Sequence, residues 1–151
     1  MLRARLNDDL KDAVKSKDKL AVSTLRLVLA ALKDRDIAAR AKGNCDGVDD
    51  QEILQLLQKM IKQRRESIAA YDQGGRSDLV ERESGEIEVI ERFLPKQMDE
   101  AEVGQAIEQT ITELEAASIK DMGKVIAALK SQYPGRMDFS KASQLVKQRL
   151  A

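Results

Sequence analysis

The segment Phe93-Leu94-Pro95-Lys96-Gln97 divides this chain of 151 residues into two parts that differ in helix length. Before Pro95, apolar residues recur at helical spacing over four long stretches that begin near residues 2, 18, 49 and 77. After it, the same spacing recurs over three shorter stretches that begin near residues 99, 118 and 138. The pattern predicts an all-α protein with a four-helix bundle in residues 1–95 and a smaller three-helix bundle in residues 96–151.

The composition favours the same fold class. Aromatic residues make up 3% of the chain and prolines number two, whereas 34% of the residues are charged and 42% are hydrophobic. Most of these are residues with high helix propensity. The core must therefore be aliphatic.

The cysteine count and the N-terminal residues bear on location. The single cysteine, Cys45, cannot form an internal disulfide, which is typical of a reducing compartment. The first residues lack the apolar run of a signal peptide, and no stretch is apolar enough to cross a membrane. We therefore expect a cytoplasmic protein without a membrane partner.

Apolar spacing also predicts which helix faces are buried. In the first helix Leu2, Leu6, Leu10 and Val14 follow one another at four-residue steps and are expected to face inward. The second helix is apolar nearly all round over residues 25–32, which is typical of the centre of a bundle. Asp99 with Glu102 and Ser118 with Asp121 are expected to begin the fifth and sixth helices, whereas Ser84-Gly85 weakens the fourth.

Charged clusters on the long helices have a structural interpretation. Lys62, Arg64 and Arg65 form a second basic cluster, which is expected to pair with Asp72 or with acids of the fourth helix. The acids of that helix are expected to form a solvated face. They are Glu81, Glu83, Glu86, Glu88 and Glu91.

The residues that usually carry catalysis are missing. The chain has no histidine, which excludes Ser-His-Asp and Cys-His systems as well as histidine metal sites. One cysteine excludes a cysteine-cluster zinc site. Neither of the common glycine-rich nucleotide-binding motifs is present. We therefore expect no catalytic residue, no metal and no cofactor.

The C-terminal residues are strongly basic. From Lys120 to Ala151 there are seven Lys and Arg against two Asp, although the whole chain has 26 basic and 26 acidic residues. A basic end on a neutral protein indicates a surface for phosphate groups, and the alternative is an ordinary solvated helix face.

Five segments, in this order and at these spacings, resemble the GatB/YqeY family along the whole chain. The similarity is greatest to its free-standing bacterial members. The segments are Leu20 with Thr24-Leu25-Arg26-Leu27, Lys62-Gln63-Arg64-Arg65-Glu66-Ser67-Ile68, Gly75-Arg76 with Asp78-Leu79, Phe93-Leu94-Pro95-Lys96-Gln97, and Asp121-Met122-Gly123-Lys124-Val125-Ile126 with Gly135-Arg136.

This resemblance implies the same four-plus-three helix architecture. It also relates the chain to the C-terminal tail of the B subunit of glutamine-dependent aspartyl/glutamyl-tRNA amidotransferase, where the tail contacts tRNA. The family label is carbon–nitrogen ligase activity with glutamine as amido-N-donor. The chain resembles the tail but has no counterpart of the cradle domain of the B subunit, which carries out part of the chemistry. We therefore expect the chain not to perform that reaction alone.

By position, the resemblance implies an RNA-binding patch in the last three helices. Glycine lets an RNA backbone approach closely, and a neighbouring cation neutralises phosphate. For Gly123 the alternative is close helix packing. Two residues depart from the family pattern, Met137 and Phe139, and Phe139 is expected to plug the core rather than stack on a base. The predicted patch is Lys120, Gly123, Lys124, Lys130, Gly135, Arg136, Lys141 and Lys147.

The sequence thus predicts a non-catalytic protein that binds tRNA or another folded RNA. It would act as an accessory to amidotransferase-like machinery, with a possible protein partner there. The alternative is a protein–protein adaptor without RNA affinity, which the net charge of zero favours. The adaptor would use exposed faces of the four-helix part.

Overall fold

The computed structural model describes all residues from Met1 to Ala151, and every regular element is helical. This confirms the all-α prediction. A short 3-10 turn, Ile119–Asp121, precedes the sixth helix. The seven helices are α1 (Leu2–Ser16), α2 (Lys19–Ala41), α3 (Asp50–Gln73), α4 (Ser77–Glu91), α5 (Glu100–Glu113), α6 (Met122–Gln132) and α7 (Phe139–Leu150).

The helices fall into two compact units. Unit 1, Met1–Leu94, contains α1 to α4, and unit 2, Pro95–Ala151, contains α5 to α7. Each unit has its own aliphatic core, around Leu57 and Ile90 in unit 1 and around Ile107 and Leu129 in unit 2. The packing of these helices as a four-helix and a three-helix bundle stays a prediction. None of the seven helices has the length and apolar character needed to cross a lipid bilayer.

Aspartate side chains begin four of the helices. Asp18 accepts a hydrogen bond from the backbone N–H of Ala21, and Asp49 and Asp138 act in the same way on α3 and α7. Before α5, the Asp99 side chain accepts from the N–H of Glu102, whose side chain accepts from the N–H of Asp99 in return. This reciprocal cap satisfies two backbone donors at once and confirms the predicted start of α5.

The buried face of α1 differs from the predicted one. Leu2 and Leu6 are buried, but Val14 is 50% exposed and Ala13 is buried instead. Four-residue steps advance about 40° beyond a full turn, so three such steps carry Val14 out of the core. Ala13 lies eleven residues after Leu2, only about 20° beyond three full turns, and stays on the buried side.

Helix α2 contacts α1, α3 and α4, as expected of a central helix, but it is not buried all round. Leu25, Val28 and Leu32 are buried, but Leu27 is 50% exposed and Arg26 is exposed beside it. One long face of α2 is therefore open to solvent. The other side packs closely, because a Cβ atom added at Gly85 of α4 would lie 2.6 Å from Cδ2 of Leu20. This approach also explains why α4 continues unbroken through Ser84-Gly85.

An ion pair is buried between α3 and α4. Nε of Arg64 lies 2.9 Å from Oε2 of Glu86, and the two side chains are only 12% and 7% exposed. Arg65, the next residue of α3, forms a second ion pair with Glu91, whose distance is 3.4 Å and which is exposed to solvent. The expected pairing of Arg64 and Arg65 with acids of α4 is confirmed. The solvated face predicted for Glu86 is wrong, since this residue is buried.

A network of hydrogen bonds joins α1, α2 and the loop before α3. Arg3 donates two hydrogen bonds to the Asp36 carboxylate, at 2.7 and 3.0 Å, and a third to the carbonyl of Val48. Asp36 also accepts from the backbone N–H of Val48 at 2.9 Å. The bonds from Arg3 stabilise the carboxylate and lower the pKa of Asp36 below its usual value.

Candidate nucleic-acid interface

All eight residues of the predicted patch lie in unit 2. Lys120 is in the 3-10 turn, Gly123, Lys124 and Lys130 are on α6, and Lys141 and Lys147 are on α7. Gly135 and Arg136 form the turn between these two helices. The cations are exposed except for Lys130 and Arg136, which are partly buried.

The start of α6 differs from the predicted one. The helix begins at Met122, and Ser118 makes no side-chain cap. Oδ2 of Asp121 instead accepts a hydrogen bond from the backbone N–H of Ala117 at 3.0 Å. This bond is the main reason why the pKa of Asp121 is lowered, and the charge of Lys124 adds to the shift.

Gly123 lies at an open part of the surface. It is exposed, and a Cβ atom added to it would meet no atom within 4 Å. The alternative that Gly123 allows close helix packing is therefore wrong. Lys124 stands beside it, also exposed. A phosphate can thus approach the backbone at this point without displacing a side chain.

The Gly135-Arg136 turn is held against the first residues of unit 2. Gly135 has a φ of 73°, which favours glycine, and its carbonyl accepts a hydrogen bond of 2.6 Å from the side chain of Gln97. Nε of Arg136 donates to the carbonyl of Lys96 at 3.1 Å, and its own carbonyl accepts from the N–H of Met98 at 2.9 Å. Arg136 thus fixes this turn, a structural role that the sequence analysis missed.

Phe139 and Met137 both contribute to the core of unit 2. Met137 is 2% exposed, and Phe139 is partly buried against the same cluster. Nζ of Lys130 lies 5.9 Å from the centre of the Phe139 ring, within range of a cation–π contact. This arrangement supports the interpretation of Phe139 as a plug, because packing and Lys130 leave little of the ring open for a base.

The cations of α6 and α7 do not form one compact cluster. Lys124 and Lys130, like Lys141 and Lys147, are six residues apart, which places the two members of each pair about 120° apart around their helix. Lys141 lines a groove of about 740 Å³ between α5 and α7. The predicted residues therefore extend over the outer faces of both helices.

The groove contains a charged residue that was not predicted as part of the patch. Arg149 lines it beside Glu100, forms an ion pair with Glu108 of α5 and donates to the carbonyl of Gly104 at 3.4 Å. This residue links α7 to α5. Arg149 lies in the last turn of α7, seven residues after the buried Ala142. Its contact with α5 could not be predicted from the sequence.

Acids and bases are separated within unit 2. Residues 96–119 hold six acids, four of them on α5, against one lysine. The two acids of residues 120–151, Asp121 and Asp138, both accept hydrogen bonds from backbone N–H groups. Residues 120–151 thus carry seven basic side chains against these two acids, and one of the seven, Arg149, pairs with Glu108 of α5. No three acidic or cysteine side chains are grouped so that they could hold a metal ion.

Comparison with known proteins gives one family and several relatives. The chain matches the family described as "Yqey-like protein" over residues 3–150. It is 37% identical over 117 residues to "Altered inheritance of mitochondria protein 41, mitochondrial" of Lachancea thermotolerans, covering 76% of this chain and 60% of the relative. The protein of the same name from Kluyveromyces lactis is 36% identical, with 74% and 59% covered. That of Saccharomyces cerevisiae is 33% identical, with 59% and 46% covered.

These relatives correct two predictions. They are yeast proteins, and their names place them in mitochondria, which contradicts the predicted cytoplasmic location and the predicted bacterial character. The similarity of the segments to free-standing bacterial proteins was too general to decide the source. The chain spans between 46% and 60% of the length of these three relatives.

Proposed function

Because this chain belongs to the YqeY-like protein family, we propose that it is an RNA-interaction protein whose unit 2 binds the phosphates of a folded RNA such as tRNA. The proposal includes the predicted packing of unit 2 as a three-helix bundle. Unit 1 would serve as the scaffold.

The observation that carries the proposal is the unbalanced charge of α6 and α7. Residues 120–147 contain six basic side chains against two acidic ones, and both acids, Asp121 and Asp138, accept hydrogen bonds from backbone N–H groups. A surface of this kind attracts the phosphate backbone and gains free energy from the release of counterions.

The structure suggests a different role for each part of the patch. Lys120, Lys124 and Lys147 are exposed and would contact phosphates directly. Gly123 would let the RNA backbone approach α6 closely. Arg136, held by the carbonyl of Lys96, would mainly position the turn between the two helices. The acids of α5 would repel the RNA and so favour one orientation.

The proposal includes a non-catalytic accessory role. The chain has no histidine and neither of the common glycine-rich nucleotide-binding motifs, which supports a role without catalysis. We propose that any such reaction would be supplied by a partner of the amidotransferase type. The chain would contribute RNA binding only.

The test is a titration of fluorescently labelled tRNA with the full chain at several salt concentrations, followed by anisotropy. About four phosphate contacts would give a slope of roughly −3 to −4 in a plot of log K against log salt concentration. An unrelated duplex RNA serves as competitor.

Two double variants make the test specific. Lys124→Glu/Lys147→Glu is expected to weaken tRNA binding by at least about tenfold and to make the salt slope shallower by roughly 1.5 to 2. Lys11→Glu/Lys59→Glu changes two exposed lysines of unit 1 by the same charge and serves as the control. Equal binding by both variants, or no binding by the unchanged chain at about 50 mM salt, would refute the proposal.

A further inference from the structure

The open face of α2 carries cations at a regular spacing. Lys19, Arg26, Lys33 and Arg40 follow one another at steps of seven residues, and all four are exposed. Seven residues are about 20° short of two helical turns, so the four side chains form a nearly straight row. The steps are about 10.5 Å each, and the row is about 31 Å long.

Smaller neutral residues alternate with these cations. Ser23, Ala30 and Ile37 lie four residues after the first three cations and share the same face. Together the seven residues form what we call the α2 stripe: Lys19, Ser23, Arg26, Ala30, Lys33, Ile37 and Arg40. Because Ser23 and Ala30 are short, another backbone can approach the helix between the cations.

The charges of the α2 stripe are only partly offset within unit 1, where the charge of Arg40 contributes to the lowered pKa of Asp36. None of its four cations forms an ion pair. Among the acids of α2, Asp36 is bound by Arg3, and Asp34 points about 100° away from Lys33 around the helix. Asp18, just before the helix, accepts from the N–H of Ala21.

Apolar surface accompanies the cations at both ends of the stripe. Near its start lies a hollow of about 340 Å³ whose lining includes Val14, Val22, Lys17 and Lys19. Val14 is 50% exposed there. Near the other end, Ile37 is 51% exposed. The face thus offers apolar contacts as well as positive charge.

We propose that the α2 stripe is a docking surface for an acidic amphipathic α-helix of a partner protein. The partner helix would carry carboxylates at seven-residue spacing, and its apolar side chains would contact Val14 and Ile37. This surface belongs to unit 1 and is independent of the RNA patch of unit 2.

The spacing and the residue types favour a helix over a nucleic acid. A seven-residue repeat of charge on one helix matches the same repeat on another, as in pairs of packed helices. A nucleic-acid strand presents a phosphate about every 3.4 Å of its axis, so cations 10.5 Å apart would leave most phosphates unpaired. The stripe also has no aromatic side chain on which a base could stack.

The test uses two synthetic peptides with helix-forming sequences of about 22 residues, long enough to follow the whole row. Both contain the same four glutamates and the same remaining residues. In the first peptide the glutamates are seven residues apart and share a face, and in the second they are five residues apart and spread around the helix. Calorimetry should show that the full chain binds the first peptide at least about tenfold more tightly. Equal affinity for the two peptides would overturn the proposal.

Variants then assign the binding to the stripe. Arg26→Glu/Lys33→Glu is expected to weaken binding of the first peptide by about tenfold, whereas Lys11→Glu/Lys59→Glu should leave it within about twofold. Circular dichroism checks that both variants keep their helical content. If Arg26→Glu/Lys33→Glu instead still binds the first peptide but no longer binds tRNA, the α2 stripe is an RNA site and the proposal is wrong.

A photo-crosslinking residue placed at Ala30 addresses the natural partner. Ala69 of α3, also exposed, is the matched control position. In cells that express the chain, we expect a crosslink from position 30 to a protein segment that mass spectrometry identifies as acidic, with carboxylates at seven-residue spacing. A crosslink to RNA, to a segment without that spacing, or one no stronger than from position 69 would count against the proposal.

Discussion

Replacing Arg64 tests whether the buried ion pair between α3 and α4 stabilises unit 1. In Arg64→Met, the carboxyl group of Glu86 would lose its bonded partner while its side chain stays buried, because only 7% of it is exposed. Breaking a buried pair in this way typically costs about 3–5 kcal/mol. Nε of Arg82 remains 3.7 Å from Oε1 of Glu86 and compensates part of the loss. We therefore expect a decrease in the free energy of unfolding of about 3 kcal/mol.

The same two helices provide a matched control. Arg65 and Glu91 are separated by 3.4 Å and are 63% and 48% exposed. Because water already solvates both groups, Arg65→Met should cost only about 0.5 kcal/mol. The difference between the two methionine variants isolates the effect of burial from that of losing an arginine on α3.

The double variant Arg64→Met/Glu86→Leu separates charge from packing. Since an apolar pair of similar volume can replace a buried ion pair, its stability should lie within about 1 kcal/mol of the unchanged chain. Urea unfolding followed by circular dichroism at 25 °C measures all variants. The reasoning is refuted if Arg64→Met loses no more stability than Arg65→Met, or if the double variant is less stable than Arg64→Met.

Three further predictions concern unit 1 and use the same urea assay. Asp36→Asn should cost about 2 kcal/mol at neutral pH. Since the pKa of Asp36 is lower in the folded state, this contribution is present above the unfolded value of about 3.9 and is lost as the pH falls through the folded value. The free energy of unfolding of the variant should thus fall less steeply at acid pH than that of the unchanged chain. An equally steep fall would contradict the role of the hydrogen bonds from Arg3. Gly43→Ala and Gly47→Ala place alanine at nearly the same φ, 92° and 91°, but a Cβ at Gly47 would lie 2.8 Å from Nη2 of Arg3. Gly43→Ala should cost about 1 kcal/mol and Gly47→Ala at least about 1 kcal/mol more, and equal costs would contradict the contact. The buried hydroxyl of Thr24 has no hydrogen-bond partner. Thr24→Val should therefore stabilise unit 1 by roughly 1 kcal/mol, and a loss of stability would show that the hydroxyl is bonded.

The sequence was sufficient for the elements whose signals are local. Asp99 and Glu102 satisfy each other's backbone donors within one turn, so their spacing alone predicts the start of α5. The pair Gly74-Gly75 directly follows the end of α3 at Gln73, and glycine is common at this position. Such caps depend on three or four neighbouring residues, and no distant contact is needed to recognise them.

Features that depend on a second helix could not be predicted. Glu86 differs from its acidic neighbours only because Arg64 of α3 reaches it, and the two are 22 residues apart. Gly85 looks like a break in α4 until Leu20 of α2 is seen to need the space. In each case tertiary packing overrides the local preference.

The candidate site shows the same division. That residues 120–151 are basic follows from the sequence, whereas the role of Arg136 does not. Its hydrogen bond to the carbonyl of Lys96 spans 40 residues and fixes the turn that also holds Gly135. A charge reversal at Arg136 would thus disturb both structure and binding, and for this reason Lys124 and Lys147 are the better test of the RNA patch.

The net charge of zero is a poor guide to the partners of this protein. Residues 1–94 contain 18 basic and 18 acidic side chains, and residues 95–151 contain eight of each, so neither unit is basic as a whole. Within each unit the signs are nevertheless separated. In unit 1, Glu86 and Glu91 are used by Arg64 and Arg65, while the cations of the α2 stripe have no such partners. In unit 2 the acids concentrate before and along α5, and the cations follow on α6 and α7. A neutral total therefore favours neither RNA nor protein partners, because a partner within the Debye length of about 8 Å responds to the face that it contacts.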